Sequence, residues 1–486
     1  MASHTLRWID IIRLGFVQAA LGSVVVLTTS TLNRVMVVEL GLAAMVPGFL
    51  IALHYMVQMS RPRWGFGSDE GGRRTPWIIG GMATLVLGAW LAAGAVVLHP
   101  GAPVAAGAMA LVGFILIGVG VGAAGTSLLA FLATHVSPER RAPAAASVWL
   151  MMIAGFIVTA ATTGALLDPY SPERLMAIAT GVGCVAFVVA LAAVAGIERR
   201  FHGRTAAAAS LSSAPAGTAS AATQKQSFRD ALAGVWAEPS ARRFTIFVFV
   251  SMLAFSAQDL ILEPFAGLVF AMTPGQSTSL SGVQHSGVFA GMALIGVAGN
   301  IIAKRYAGIM RLFTVAGCLA SALALFCLAL GGAFAPDWPL ETNVFLLGFA
   351  NGVFAVAAIG SMMGLAGDGR ENREGTRMGL WGAAQAIAFG LGSFLGTVGV
   401  DAARALTASN ATAYGAVFVI EGLLFVVAAG LAARLTVSAL ANLKRDEPFG
   451  TREIVKSVIR HSDAQLARSA VATTPSFAGE RPGALQ

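Results

Sequence analysis

The sequence predicts an all-α membrane protein with twelve transmembrane helices in two six-helix bundles. Three observations lead to it. Apolar residues run in unbroken blocks of about 20, the length of a membrane span. The basic residues fall almost wholly on alternate loops, and one set of residues recurs in both halves. Hydrophobic residues make up 56% of the 486 and charged residues 12%, a balance too apolar for a water-soluble globule. Many of the 57 glycines sit inside the blocks, where small side chains let membrane helices approach closely.

In the first half the spans are predicted at Ile11–Asn33, Glu39–Ser60, Pro76–Leu98, Val104–His135, Pro143–Leu167 and Leu175–Ile197. In the second they fall at Arg243–Met272, Val283–Ile302, Leu312–Phe334, Val344–Ala366, Gly379–Val400 and Tyr414–Leu435. This gives an N-terminal bundle over 1–197, a linker over 198–242, a C-terminal bundle over 243–440 and a tail over 441–486. Arg199, Arg200 and Arg204 open the linker, and an Ala/Ser/Gly tract that cannot bury a core follows. Phe228 to Trp236 reads as a short amphipathic stretch on the membrane surface. The polar tail reads as largely disordered at its end.

Of the 32 Lys and Arg, only Arg34, Arg174 and Arg404 fall on the other side when both termini are placed in the cytoplasm. That asymmetry predicts a bacterial inner-membrane protein with both ends inside. The polar start, with His4 and Arg7, predicts a retained N-terminus rather than a cleaved signal. Glu139, Arg141 and Trp149 recur with the same separations as Glu371, Arg373 and Trp381, as in parallel repeats.

The loop between the second and third spans carries Gly65, Asp69, Gly72, Arg73 and Arg74. Its spacing resembles the major facilitator loop signature, which implies that fold and an inter-bundle latch. The glycines permit tight turns, and Asp69 can pair with arginines or meet the positive end of a helix. Glu70 departs from the signature, standing where a basic residue is usual.

Ionisable groups inside spans are costly and ask for a partner or a function. The first span ends in Asn33 and Arg34 and leads to Glu39; the seventh carries Gln258, Asp259 and Glu263. As repeat mates these spans would line a central cavity, where Arg34 would neutralise Asp259 or Glu263. Bracing of the two halves is the alternative role. Such an alternation of charge also suits proton coupling, although Glu421 is the sole further candidate acid in the later spans. His54, one turn from Gln58 and next to Tyr55, is a candidate axial ligand for the metal of a tetrapyrrole, or else a packing histidine. His285 is a weaker candidate, and His135 belongs to the end of the fourth span.

No phosphate loop, zinc spacing or Ser/His/Asp set stands out, so the sequence reads as a non-enzyme without a metal site. Cys184, Cys318 and Cys327 lie unpaired in apolar blocks, as structural residues. The basic residues are not clustered with stacking aromatics, which argues against nucleic acid despite a net charge of +8.

The strings Leu32 to Leu40, Arg61 to Arg63, Gly65 to Trp77 and Gln258 to Phe265 together resemble the PucC/LhaA, or bacteriochlorophyll delivery, family over nearly all of the membrane region. The resemblance implies a major facilitator adapted to assemble light-harvesting complexes, handling bacteriochlorophyll or a precursor. It also implies partners among antenna or reaction-centre polypeptides, and the compact loop looks like the subgroup linked to bacteriochlorophyll synthase. It carries over Asn33, Arg34, Glu39, Asp259 and Glu263, whereas His54 is inferred from position. Membrane lipids are the expected surroundings. A proton-coupled transporter of a small solute is the second reading, and a scaffold without a ligand is the third.

Overall fold

A computed structural model of the chain describes residues 6–60, 73–198, 236–303, 309–367 and 374–445. It falls into two compact units, Met1–Ala433 and Arg434–Gln486, and the packing below lies within the first. The described residues are almost entirely helical. Among the described residues, eleven helices are long and apolar enough to cross a bilayer, and a further apolar helix, Met45–Ser60, is shorter.

In chain order, the first half comprises α1 (Trp8–Val26), α2 (Met45–Val57), α3 (Thr75–Leu98), α4 (Pro103–His135), α5 (Pro138–Leu167) and α6 (Pro172–Val194). The second comprises α7 (Pro239–Val269), α8 (Pro274–Ala303), α9 (Ile309–Gly331), α10 (Leu340–Gly367), α11 (Glu374–Leu406) and α12 (Asn410–Arg445). Five of the first six begin with Pro within the first three residues or carry it at the first or second position, where its missing N–H costs nothing. The loop aspartate Asp69 and glycines Gly65 and Gly72 lie outside the described residues, as do 199–235 of the linker and 446–486 of the tail.

Three boundaries differ notably from the sequence reading. The first span is longer than expected: α1 continues through π-helical turns at Leu27–Leu32 and Val35–Glu39, so Arg34 and Glu39 sit on its last turns. The second span, expected from Glu39, starts only at Met45. Gly41, at φ 63°, takes the left-handed conformation that breaks the chain there. The eighth span begins at Pro274 rather than Val283, because the polar run Ser277 to Gln284 turns inward and is buried in part at Ser277, Thr278, Ser281 and Gln284.

Within the first half α3 packs along α4 and α6, α1 along α5 and α6, and α2 along α4. Glycines set the α3–α4 spacing: a Cβ on Gly88 would stand 2.7 Å from the Gly113 carbonyl and the Ile117 nitrogen. One on Gly120 would stand 2.5 Å from the Leu85 nitrogen, so small residues make this backbone-to-backbone seam. In the second half α8 and α9 pack along α10, and α7 along α11. The halves meet through two matched pairs, α5 with α8 and α2 with α11, and through the last turns of the first span against α7 and α8.

Outward-facing side chains are apolar: Val158, Val185, Val297 and Leu323 are each more than 60% exposed, a surface suited to lipid. The repeat mates Trp149 and Trp381 differ in setting. Trp149 is 37% exposed, whereas Trp381 is buried edge-on to Phe244 at 4.8 Å.

Candidate functional site

The expected meeting of the first-span and seventh-span strings takes place. Asn33 is fully buried and its amide donates to the Leu260 carbonyl at 2.7 Å. Ser30, one turn earlier, donates to the Glu263 carboxylate and lies 3.1 Å from the Ser281 hydroxyl. Thr278 of α8 faces Thr31 of the first span at 3.4 Å. The side chains of this seam are buried, so it is a packed polar joint between the halves.

The expected ion pair across the halves does not form. Arg34, 2% exposed, is bonded to Glu39 on its own segment, because the π-helical turns bring the two together. Its other nitrogen donates to the Met272 carbonyl of the second half at 2.9 Å. Asp259 instead accepts from Gln284 of α8 at 3.0 Å, and Glu263 is held by Ser30. The cation therefore braces the halves through a carbonyl, and the two seventh-span carboxyls are served by neutral donors. Gln258 is fully buried, and no hydrogen bond reaches its amide among the described residues. Glu421 of α12 is 2% exposed and its carboxyl likewise meets no donor there.

His54 is not part of this seam. It is 1% exposed on α2, its Nε2 accepts from the Gln58 amide at 2.8 Å, and its ring stands edge-on to Tyr55 at 4.9 Å. Gly118 of α4 packs against its backbone: a Cβ there would meet the His54 carbonyl at 2.7 Å. His285 donates from Nδ1 to the Ser281 carbonyl at 2.7 Å and lies against Phe156. Of the loop motif, Arg73 is exposed, and the Arg74 and Thr75 backbone amides donate to Glu198 at 2.5 and 3.0 Å. That carboxylate caps α3.

Two further cross-half contacts escaped the sequence reading. Asp401, near the end of α11, accepts from the Ala44 and Met45 amides at 3.0 and 2.7 Å, capping α2. Asp168, just past α5, accepts from the Gly275 amide at 3.0 Å and the Thr273 hydroxyl at 2.5 Å, capping α8. Both lie at the end of the molecule that carries the loops 40–44 and 168–171, called here the distal end. Beside them, Tyr170 has its phenol pushed up to about 12, first by burial and then by the Glu39 carboxylate, against the pull of Arg34.

A cavity of about 600 Å³ opens at the same end, between the last turns of the first span, α2, α3 and α4. Met36, Leu50, Val96 and Ala106 form a buried floor, and Met45 and Phe49 an exposed rim. His99, half-buried, supplies the one nitrogen-bearing side chain of its lining among the described residues. No group of three or more His, Cys, Asp or Glu placed to hold a metal ion occurs among the described residues.

Comparison with known proteins bears on this arrangement. Residues 31–440 match the family described as PUCC protein. The chain is 52% identical over 428 residues to the bacteriochlorophyll synthase 44.5 kDa chain of Rhodobacter capsulatus, covering 88% of this chain and 95% of that one. It is 30% identical over 418 residues to the protein PucC of Rhodovulum sulfidophilum, covering 83% and 87%. Among solved structures, a bacterial homologue of the lysosomal transporter Spinster superposes with a TM-score of 0.62 at 14% identity, over 88% of this chain and 97% of that one. A variant of the nucleoside transporter NupG gives 0.61 at 16%, over 88% and 98%. These likenesses establish the major facilitator fold, twelve membrane helices in two bundles. With the matched family spanning most of its length and a close relative covered almost end to end, the chain belongs to the PUCC protein family.

Proposed function

We propose that the protein is a photosynthetic assembly factor, which binds bacteriochlorophyll or a precursor in the membrane and delivers it to light-harvesting antenna or reaction-centre polypeptides. Bacteriochlorophyll synthase is a further partner on this reading. The observation that carries it is the 52% identity to the bacteriochlorophyll synthase 44.5 kDa chain. The geometry supports a carrier rather than a catalyst: the buried polar groups hold helices together, and the cavity is lined almost wholly by apolar side chains. A chlorin with a long isoprenoid tail is too apolar to cross water, so an apolar site in a membrane protein suits it. We place the protein in the inner, intracytoplasmic membrane on the photosynthetic reading of its relatives, with both termini inside on the distribution of its basic residues.

Purification from pigmented membranes in mild detergent tests the proposal. Pigment in near-stoichiometric amount, with copurifying antenna polypeptides or synthase, is expected. A colourless preparation without those partners refutes it. The second reading, a proton-coupled transporter, rests on the carboxyls Asp259, Glu263 and Glu421 within spans, the last two buried. It requires solute accumulation in proteoliposomes that collapses in Asp259→Asn.

A further inference from the structure

We infer that the distal cavity is the chlorin site and that the imidazole of His99 is the axial ligand of the ring's magnesium. The inference rests on the pigment-carrier reading above and assigns it a place. The cavity walls come from four segments: Met36 on the last turns of the first span, Met45 and Phe49 on α2, Val96 and His99 at the end of α3, and Ala106 on α4. The floor excludes water, with Met36, Val96 and Ala106 each no more than 3% exposed. The rim is open, with Met45 and Phe49 exposed by 43% and 48%. A flat apolar ring seated on that floor leaves its tail to run out over the rim into lipid.

The imidazole decides between a ring and an ordinary acyl chain. The cavity lining is otherwise built of carbon and methionine sulfur, so His99 is the one side chain there with a nitrogen to offer a metal. The His99 backbone amide is used, donating to Ala95 at 3.0 Å, but its ring nitrogens make no hydrogen bond among the described residues. An acyl chain has no use for an imidazole. A magnesium held by four ring nitrogens keeps an open axial position, which a neutral imidazole nitrogen fills. His54 offers no comparable opportunity: its Nε2 is already held by Gln58, and it does not line the cavity. The two methionines give a polarizable, adaptable wall on which rings of differing side groups can lie.

The purified full-length protein, stripped of pigment in detergent, is titrated with bacteriochlorophyll a and separately with metal-free bacteriopheophytin a. The parent protein is expected to bind both, the magnesium ring at least tenfold more tightly. In His99→Leu the affinity for the magnesium ring falls about tenfold to meet that for the metal-free ring, and the absorption bands that report magnesium coordination shift. His99→Asn gives an independent check with a polar side chain. In Gly107→Phe, a bulky change at a lining residue whose Cβ meets nothing within 4 Å, both ligands are expected to be lost while the thermal midpoint holds. Unchanged affinity and bands in His99→Leu, or full binding in Gly107→Phe, overturn the assignment and leave the carrier reading standing. Retention of phospholipid alone, with neither ring bound by the parent protein, overturns both.

Discussion

Removing the two distal caps is expected to open the joint between the halves. Asp401 accepts two amide hydrogen bonds from the start of α2, at 3.0 and 2.7 Å. Asp168 accepts one from the start of α8 and one from Thr273. Each carboxylate is half-buried and sits at the positive end of a helix contributed by the other half. Loss of a capping side chain costs about 0.5–2 kcal/mol, and charge-assisted bonds lie toward the upper end, so each Asp→Ala change should cost about 2 kcal/mol. If the halves part as rigid bodies, that cost falls directly on the closed state. At about 1.4 kcal/mol per decade, each variant then opens the joint about 30-fold more often, and the pair about 1000-fold.

Thr278, 1% exposed on α8 and facing Thr31, is the place to read this. A cysteine there, in a background with Cys184, Cys318 and Cys327 replaced, reacts slowly with a bulky polar thiol reagent in the parent protein. Its labelling rate should rise about 30-fold in Asp168→Ala or Asp401→Ala and about 1000-fold in the double variant. Equal rates in the parent protein and the double variant would refute the idea that these caps hold the halves together.

Two further outcomes follow from the same end of the molecule. Breaking the Arg34–Glu39 pair by Glu39→Ala leaves a 2%-exposed cation without its carboxylate, and a thermal melt should show a loss of about 3 kcal/mol. Arg34→Met combined with Glu39→Ala should recover part of that loss, and strict additivity would count against the pairing. Tyr170 gives a pH effect: its phenol ionises near 10 when unfolded and at about 12 when folded, so the unfolded chain binds fewer protons between those values. Stability should therefore fall as pH rises from 10 to 12, and Tyr170→Phe should flatten that slope; an identical slope in the variant would remove Tyr170 as its source.

The spans were legible because lipid imposes one rule on every outward side chain, and Val158 or Leu323 announce it without reference to any neighbour. Partnerships were harder, because they depend on local backbone geometry. Arg34 reads as a cation in need of an acid on the opposite helix, but π-helical turns carry Glu39 round to meet it first. The start of α8 reads as loop because serines and threonines interrupt its apolar block, yet those hydroxyls bond back to the helix or across to the first span. Asp168 and Asp401 lie at predicted span ends, where an acid attracts no notice. Their separation is one residue off the spacing that relates Trp149 to Trp381, and that was the available signal. His99 was passed over because a histidine at a loop edge is unremarkable until four segments are seen to enclose the space beside it.

The two aspartate caps have an implication for how such a chain could arise. Each half extends a carboxylate from its fifth helix, or the counterpart of that helix, and offers the start of its second, so the contact is reciprocal. Two identical six-helix chains related by a two-fold axis would satisfy both contacts with a single aspartate each. Gene fusion of such a pair would keep the handshake intact while freeing the two grips to diverge, which is the state seen here: one grasps two backbone amides, the other an amide and a hydroxyl.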